Sequence, residues 1–208
     1  MPPIPSSAKD SAILSTARTL FLQHGIRRVS IEEICREARV SKRTFYTRYR
    51  DKDALAVRVL GELIEESRRP LEVIIAGDLP IEDKLREIIT TKSGQAGETS
   101  LEFYQEVMTA DSEPGRFVRQ KQREWEERVR GFYVEAQARG QIRSDLDLDL
   151  LMFLLTRIRD LMGDPEFQRI QPDFGRMVES VMKLFFYGIV PRPERPRRGA
   201  RRAKRRKP

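Results

Sequence analysis

Two residue types that commonly build sites are nearly missing from this sequence. Of 208 residues, one is cysteine, Cys35, and one is histidine, His24. A lone cysteine excludes an internal disulfide framework and any multi-cysteine metal site, and a lone histidine excludes a His-rich metal centre. Long uncharged runs are missing too. No stretch free of Asp, Glu, Lys and Arg exceeds eight residues, far below the roughly 20 apolar residues that a membrane-spanning helix needs. The opening segment, MPPIPSSAKD, lacks the charged and apolar regions of a secretion signal. No nucleophile–base pair, metal constellation or phosphate-binding glycine loop is legible, so no enzymatic activity is expected. The expectation is a cytoplasmic protein with no metal, no cofactor and no membrane partner. The chain is long enough to bury a core without crosslinks.

What the sequence does carry is charge, unevenly placed. The net charge is +8. Residues 191–208 hold ten Lys/Arg against one Glu, and residues 1–60 hold twelve basic against six acidic residues. Residues 61–190 are acidic overall, with eighteen basic and twenty-five acidic side chains. A basic front, an acidic body and a basic tail point to a nucleic-acid partner for the basic parts. The tail, PRPERPRRGARRAKRRKP, has no apolar face to bury and is expected to be disordered.

Helical periodicity dominates the rest. Ala12, Ile13, Ala17, Leu20 and Phe21 recur at three- and four-residue steps, which predicts a helix over about 8–24, stopped by Gly25. Ser30 and Glu33 form a capping-box pattern before a short helix ending near Ala38. Ser41 caps a second short helix over about 42–48, and Asp51 a fourth over about 52–67, ended by Pro70. Further helices are expected at 71–77, 80–93, 98–110, 114–139, 147–163 and 173–189, with Pro165 and Pro172 as punctuation between the last two.

The two short helices, joined by Arg39-Val40-Ser41, make a helix-turn-helix, in which one helix braces another that enters a DNA major groove. Phe45 and Tyr49 are spaced i, i+4 and pack inward. Lys42, Arg43, Thr44, Thr47 and Arg48 are left facing out, and these types suit base edges and phosphates. The backbone N–H groups near Ser41 and Lys42 also suit phosphate.

The run IEEICREARVSKRTFYTRYRDKDAL resembles the DNA-binding signature of the TetR family of bacterial transcriptional regulators, over about residues 8–58. The resemblance implies that Ser30 caps the scaffold helix, that Val40 and Ser41 form the turn, and that Lys42 to Tyr49 form the recognition helix. It also implies phosphate contacts from Tyr46 and Lys52. The chain departs from the pattern at Arg39, where the family usually has a turn glycine; a non-glycine residue in a left-handed turn costs roughly 1–2 kcal/mol. The resemblance further implies a small-molecule pocket among the later helices, with Tyr104, Met108 and Trp125 as candidate effector-binding residues. Apolar stripes of this kind are otherwise ordinary core.

The helix near 147–163 is apolar nearly all round, with Leu150, Leu151, Phe153, Leu154 and Leu155 covering almost every side, and the last helix is wider than one stripe. Such helices must be buried on more than one side. The second side is expected to meet a partner subunit, in keeping with the dimer that the resemblance implies.

Together these readings predict an all-α fold of about nine helices. Residues 1–55 are the helix-turn-helix DNA-binding domain, 56–190 the effector-binding and dimerisation domain, and 191–208 the basic tail. The expected function is a ligand-responsive repressor that binds a palindromic operator in double-stranded DNA as a homodimer and answers to an unknown small-molecule effector. The DNA-binding set is Ser30, Ser41, Lys42, Arg43, Thr44, Tyr46, Thr47, Arg48 and Lys52. The alternative is a sequence-nonspecific nucleic-acid-binding protein driven by the basic tail.

Overall fold

Apolar residues at helical spacing, separated by capping serines and aspartates, fold here into helices alone. The computed structural model describes residues 6–96, 100–162, 164–170 and 173–189, and these contain ten helices and no strand. In chain order they are α1 (Ser6–His24), α2 (Ile31–Glu37), α3 (Lys42–Arg48), α4 (Lys52–Ala76), α5 (Ile81–Ala96), α6 (Leu101–Thr109), α7 (Glu113–Ala138), α8 (Leu148–Met162), α9 (Pro165–Ile170) and α10 (Phe174–Ile189). The basic tail lies outside the described residues.

The caps fall where the sequence places them. Ser30, Ser41 and Asp51 each accept a backbone N–H three residues on, from Glu33, Thr44 and Ala54. Each cap satisfies one donor that the first helical turn would otherwise orphan, a contribution of about 1 kcal/mol apiece.

Two elements differ from expectation. Pro70 does not end a helix. α4 runs through it to Ala76, although a proline inside a helix removes one hydrogen bond and costs about 3 kcal/mol. The compensation is burial: Leu71 and Ile74, just beyond the proline, are enclosed in apolar surroundings that a chain break would expose. The segment around Pro165 is not a mere break either. Asp164 accepts the N–H groups of Glu166 and Phe167, and Pro165 opens the short α9 at the position where a missing N–H costs nothing.

The buried residues fall into two clusters. The first joins α1, α2, α3 and the start of α4 through Ile13, Phe21, Ile34, Phe45 and Leu55, and extends to Phe103 and Val107 of α6. The second joins the far half of α4 to α5, α7, α8 and α10 through Leu71, Ile88, Phe132, Leu151 and Phe186. Helix α4 therefore ties the recognition unit to the body. No helix among the described residues is long and apolar enough to cross a membrane.

Candidate nucleic-acid interface

The turn between α2 and α3 decides where the recognition helix points. Arg39 has φ 54°, the left-handed conformation in which the sequence predicts a strained turn. Its N–H donates to the Arg36 carbonyl, and that of Val40 to the Cys35 carbonyl. This double bond pattern is the Schellman stop, usually built on glycine. The chain accepts the cost of a side chain there, and that side chain is exposed.

Helix α3 buries one side and shows the other. Phe45 is fully enclosed, and Tyr49 beside it donates its hydroxyl to Asp10 of α1 at 3.0 Å. Burial, together with that carboxylate, pushes the Tyr49 phenol up to about 12, so it stays protonated and holds α3 to α1. On the opposite side Lys42, Arg43, Tyr46, Thr47 and Arg48 are exposed. Tyr46 is 56% accessible, with its ring edge-on against Phe45 at 5.4 Å between centroids. A phenol anchored in this way reaches outward with little freedom to lose.

Not every predicted contact residue is equally placed. Ser30 and Ser41 spend their oxygens as caps, and the Ser41 hydroxyl also pairs with that of half-buried Thr44 at 3.0 Å. Thr47 donates back to the Arg43 carbonyl at 2.7 Å, leaving its lone pairs outward. Lys42 pairs with Glu32 of α2. That partner holds the Lys42 ammonium above the usual lysine range and the Glu32 carboxyl below its own.

Lys52, for which the resemblance implies a phosphate contact, bonds within the chain. Its ammonium donates to the carbonyls of Ile26, Arg27 and Val29, at 2.7, 3.1 and 2.8 Å. An ammonium has three donors. All three are spent on the loop between α1 and α2.

The other side of that loop is held by Glu106 of α6, a residue that sequence reasoning did not single out. Its carboxylate accepts the N–H groups of Ile26 and Arg27, both at 2.7 Å. Gly25, with φ 78°, makes this approach possible: a Cβ there would lie 2.8 Å from the Glu106 carboxylate. The signal in the sequence was the glycine alone; its partner is 81 positions away and nothing local marks it.

Residues 13–59 match the model of the bacterial regulatory proteins of the TetR family. The match covers the N-terminal segment, and the short helix pair and turn just described lie inside it. The "Uncharacterized HTH-type transcriptional regulator YuxN" of Bacillus subtilis is 34% identical over 73 residues, which cover 35% of this chain and 25% of that relative. The chain therefore spans about a quarter of the curated relative that it matches. Solved structures extend the likeness in fold to most of the chain. A putative transcriptional regulator from Saccharomonospora viridis, in complex with choline, has a TM-score of 0.71 at 18% identity and covers 90% of this chain and 100% of its own. FadR from Bacillus subtilis, in complex with stearoyl-CoA, has a TM-score of 0.69 at 18% identity, covering 86% and 99%. NemR of E. coli in its reduced form has a TM-score of 0.70 at 16% identity, covering 88% and 97%.

The three candidate effector residues are not brought together. Trp125 lines an apolar cavity of about 250 Å³ in the second cluster. Tyr104 lines a separate cleft on the first cluster, with Arg18, Ser67 and Val107. Met108 lines neither; it packs on the first cluster, and its sulfur accepts from Gln122 at 3.1 Å.

Proposed function

We propose that the protein is a ligand-responsive transcriptional repressor that binds a palindromic operator as a homodimer. The observation that carries this reading is the two-sided recognition helix: Phe45 and Tyr49 lock one side into the core, and Lys42, Arg43, Tyr46 and Thr47 are displayed on the other. Positive and hydroxyl-bearing groups on one rigid face suit a major groove and its phosphates.

The dimer reading rests on apolar surface that one chain leaves uncovered. Phe153 and Leu154 of α8 are exposed, as are Leu184 and Tyr187 of α10 at 82% and 74%. Their helices bury Leu151 and Phe186 on the inner side. An apolar face of this extent marks an interface, and a two-fold pair would set two α3 helices against repeated half-sites. The effector reading rests on the apolar cavity and on the ligands named for the fold's neighbours, a fatty acyl thioester in one and choline in another. A ligand that binds one arrangement of the two α3 helices better than the other would weaken operator affinity by that difference.

Selection of bound sequences from random DNA tests this. The expected result is a palindromic site whose affinity collapses in the triple variant Arg43→Ala, Thr44→Ala, Tyr46→Ala, with an unchanged thermal melt. Equal binding of operator and random DNA would instead favour the tail-driven, nonspecific alternative.

A further inference from the structure

The cavity of the second cluster is walled by one stripe from each of five helices. Leu71 and Ile75 come from α4, Ile88 and Lys92 from α5, Trp125 and Tyr133 from α7, with α8 and α10 closing the rest. Two polar groups on this wall have no protein partner among the described residues. The ammonium of Lys92 makes no hydrogen bond or ion pair among the described residues. Tyr133 is 3% exposed, and its hydroxyl is unpartnered in the same sense. A half-buried charge without a partner in an apolar wall is costly, and a buried hydroxyl costs less but still counts.

The two groups stand toward opposite ends of the cavity. Arg68 lies over the Trp125 ring at 5.3 Å, and its positive charge is felt by Lys92. Lys84, eight residues before Lys92 on α5, lies over the Phe132 ring at 5.7 Å. Lys92 therefore belongs to the Trp125 end and Tyr133 to the Phe132 end, about 12 Å further along α7. Arg68 is itself committed to the Lys121 carbonyl and the indole face. The acidic residue on the wall, Glu126, also lines a neighbouring cleft with Arg130 and Arg157. Burial and Arg68 both push the Lys92 ammonium down, to about 8, and no carboxylate offsets them.

We propose that this cavity binds an amphipathic organic carboxylate, its hydrocarbon body along the helix stripes and its anionic head on Lys92. The inference rests on the effector reading above and gives that effector its chemical class. One uncommitted ammonium matches a single negative charge, and the Arg68 field adds to the attraction while opposing a cationic head. Tyr133 supplies a hydrogen-bond donor to any polar substituent at the far end.

Calorimetric titration of the full-length chain with decanoate, methyl decanoate and decyltrimethylammonium tests this. Decanoate is expected to bind, and Lys92→Met to weaken it by about tenfold or more, as loss of a charge-assisted hydrogen bond does. The ester should bind both forms alike, and Lys92→Arg should retain decanoate. In the unmodified chain decanoate affinity should decline as pH rises through about 8, where free Lys92 loses its proton; in Lys92→Arg that decline should vanish. A thermal melt of Lys92→Met at or above that of the unmodified chain excludes misfolding. Equal decanoate affinity in the unmodified chain and Lys92→Met overturns the proposal, as does tighter binding of the ester or the cation. Should the ester or the cation bind while decanoate does not, the cavity stands as an effector pocket and only its charge preference is refuted. Should none of the three bind, the carboxylate is refuted, and release of operator DNA by a metabolite library decides the effector reading separately.

Discussion

Lys52 and Lys92 are the same residue in opposite circumstances. Lys52 sits at the first turn of α4, where the positive end of the helix disfavours a cation, yet it gives all three donors to backbone carbonyls of the α1–α2 loop. Lys92 lines an apolar cavity and gives none to the described residues. The first is a structural bolt, completed within the chain. The second is incomplete without something from outside. The contrast extends to carboxylates and hydroxyls: Glu106 accepts two N–H groups of the same loop, whereas the Tyr133 hydroxyl finds no acceptor among the described residues.

The comparison breaks most visibly at Lys52. Lys52→Met strands the part-buried carbonyls of Ile26 and Val29 and should cost about 2 kcal/mol in denaturant melts, since each buried group left without a partner costs about 1–3 kcal/mol. Operator affinity should fall with it, because the loop leads directly into Ser30 and α2. A loss under about 1 kcal/mol would show that the three bonds from Lys52 contribute little to holding the loop. Glu106→Ala is expected to cost about 2 kcal/mol by the same measurement, through the two charge-assisted bonds from Ile26 and Arg27. It should also weaken the coupling of effector to DNA, since Glu106 joins α6 to the loop before the recognition unit.

Lys92→Met should do the reverse and leave stability unchanged or raised. The sign follows from linkage. Lys92 titrates near 8 when folded and near its ordinary 10.5 when unfolded. Between those values the unfolded chain binds more protons, so this residue makes stability rise with pH. Below about 8 both states are charged and the full penalty applies. A melting temperature that climbs from pH 8 to 10.5 in the unmodified chain, with a flatter profile in Lys92→Met, is the expected result.

The smallest effect concerns two helix stops. Gly140 after α7 and Arg39 after α2 make the same pair of bonds: Gly140 to the Gln137 carbonyl with Gln141 to that of Ala136, and Arg39 to Arg36 with Val40 to Cys35. Both residues are left-handed, at φ 69° and 54°. Arg39→Gly should therefore stabilise the fold by up to about 1 kcal/mol in denaturant melts. A loss of stability would show that the arginine side chain contributes more than its backbone costs.

The capped helix starts at Ser30, Ser41 and Asp51 were legible because the signals are local: a side-chain oxygen three residues from the N–H that it accepts. The inward pair Phe45 and Tyr49 was legible because helical spacing fixes a face. The α4 helix was not, because the local rule for Pro70 is a break, and the burial of Leu71 and Ile74 that overrides it involves α5 and α7. Tyr104, Met108 and Trp125 share the middle helices, yet no sequence period says which stripe faces a cavity and which a core.

The sequence by itself determined the capped helix starts, the glycine stops and the exposed chemistry of α3, since each depends on neighbours within about four positions. Tertiary structure alone decided the fate of the charges. Whether a lysine is a bolt or a bait depends on what stands within about 3 Å of its ammonium. For Lys52 that is a loop more than twenty residues earlier in the chain. For Lys92 it is a wall drawn from five helices, with no group to pair it among the described residues.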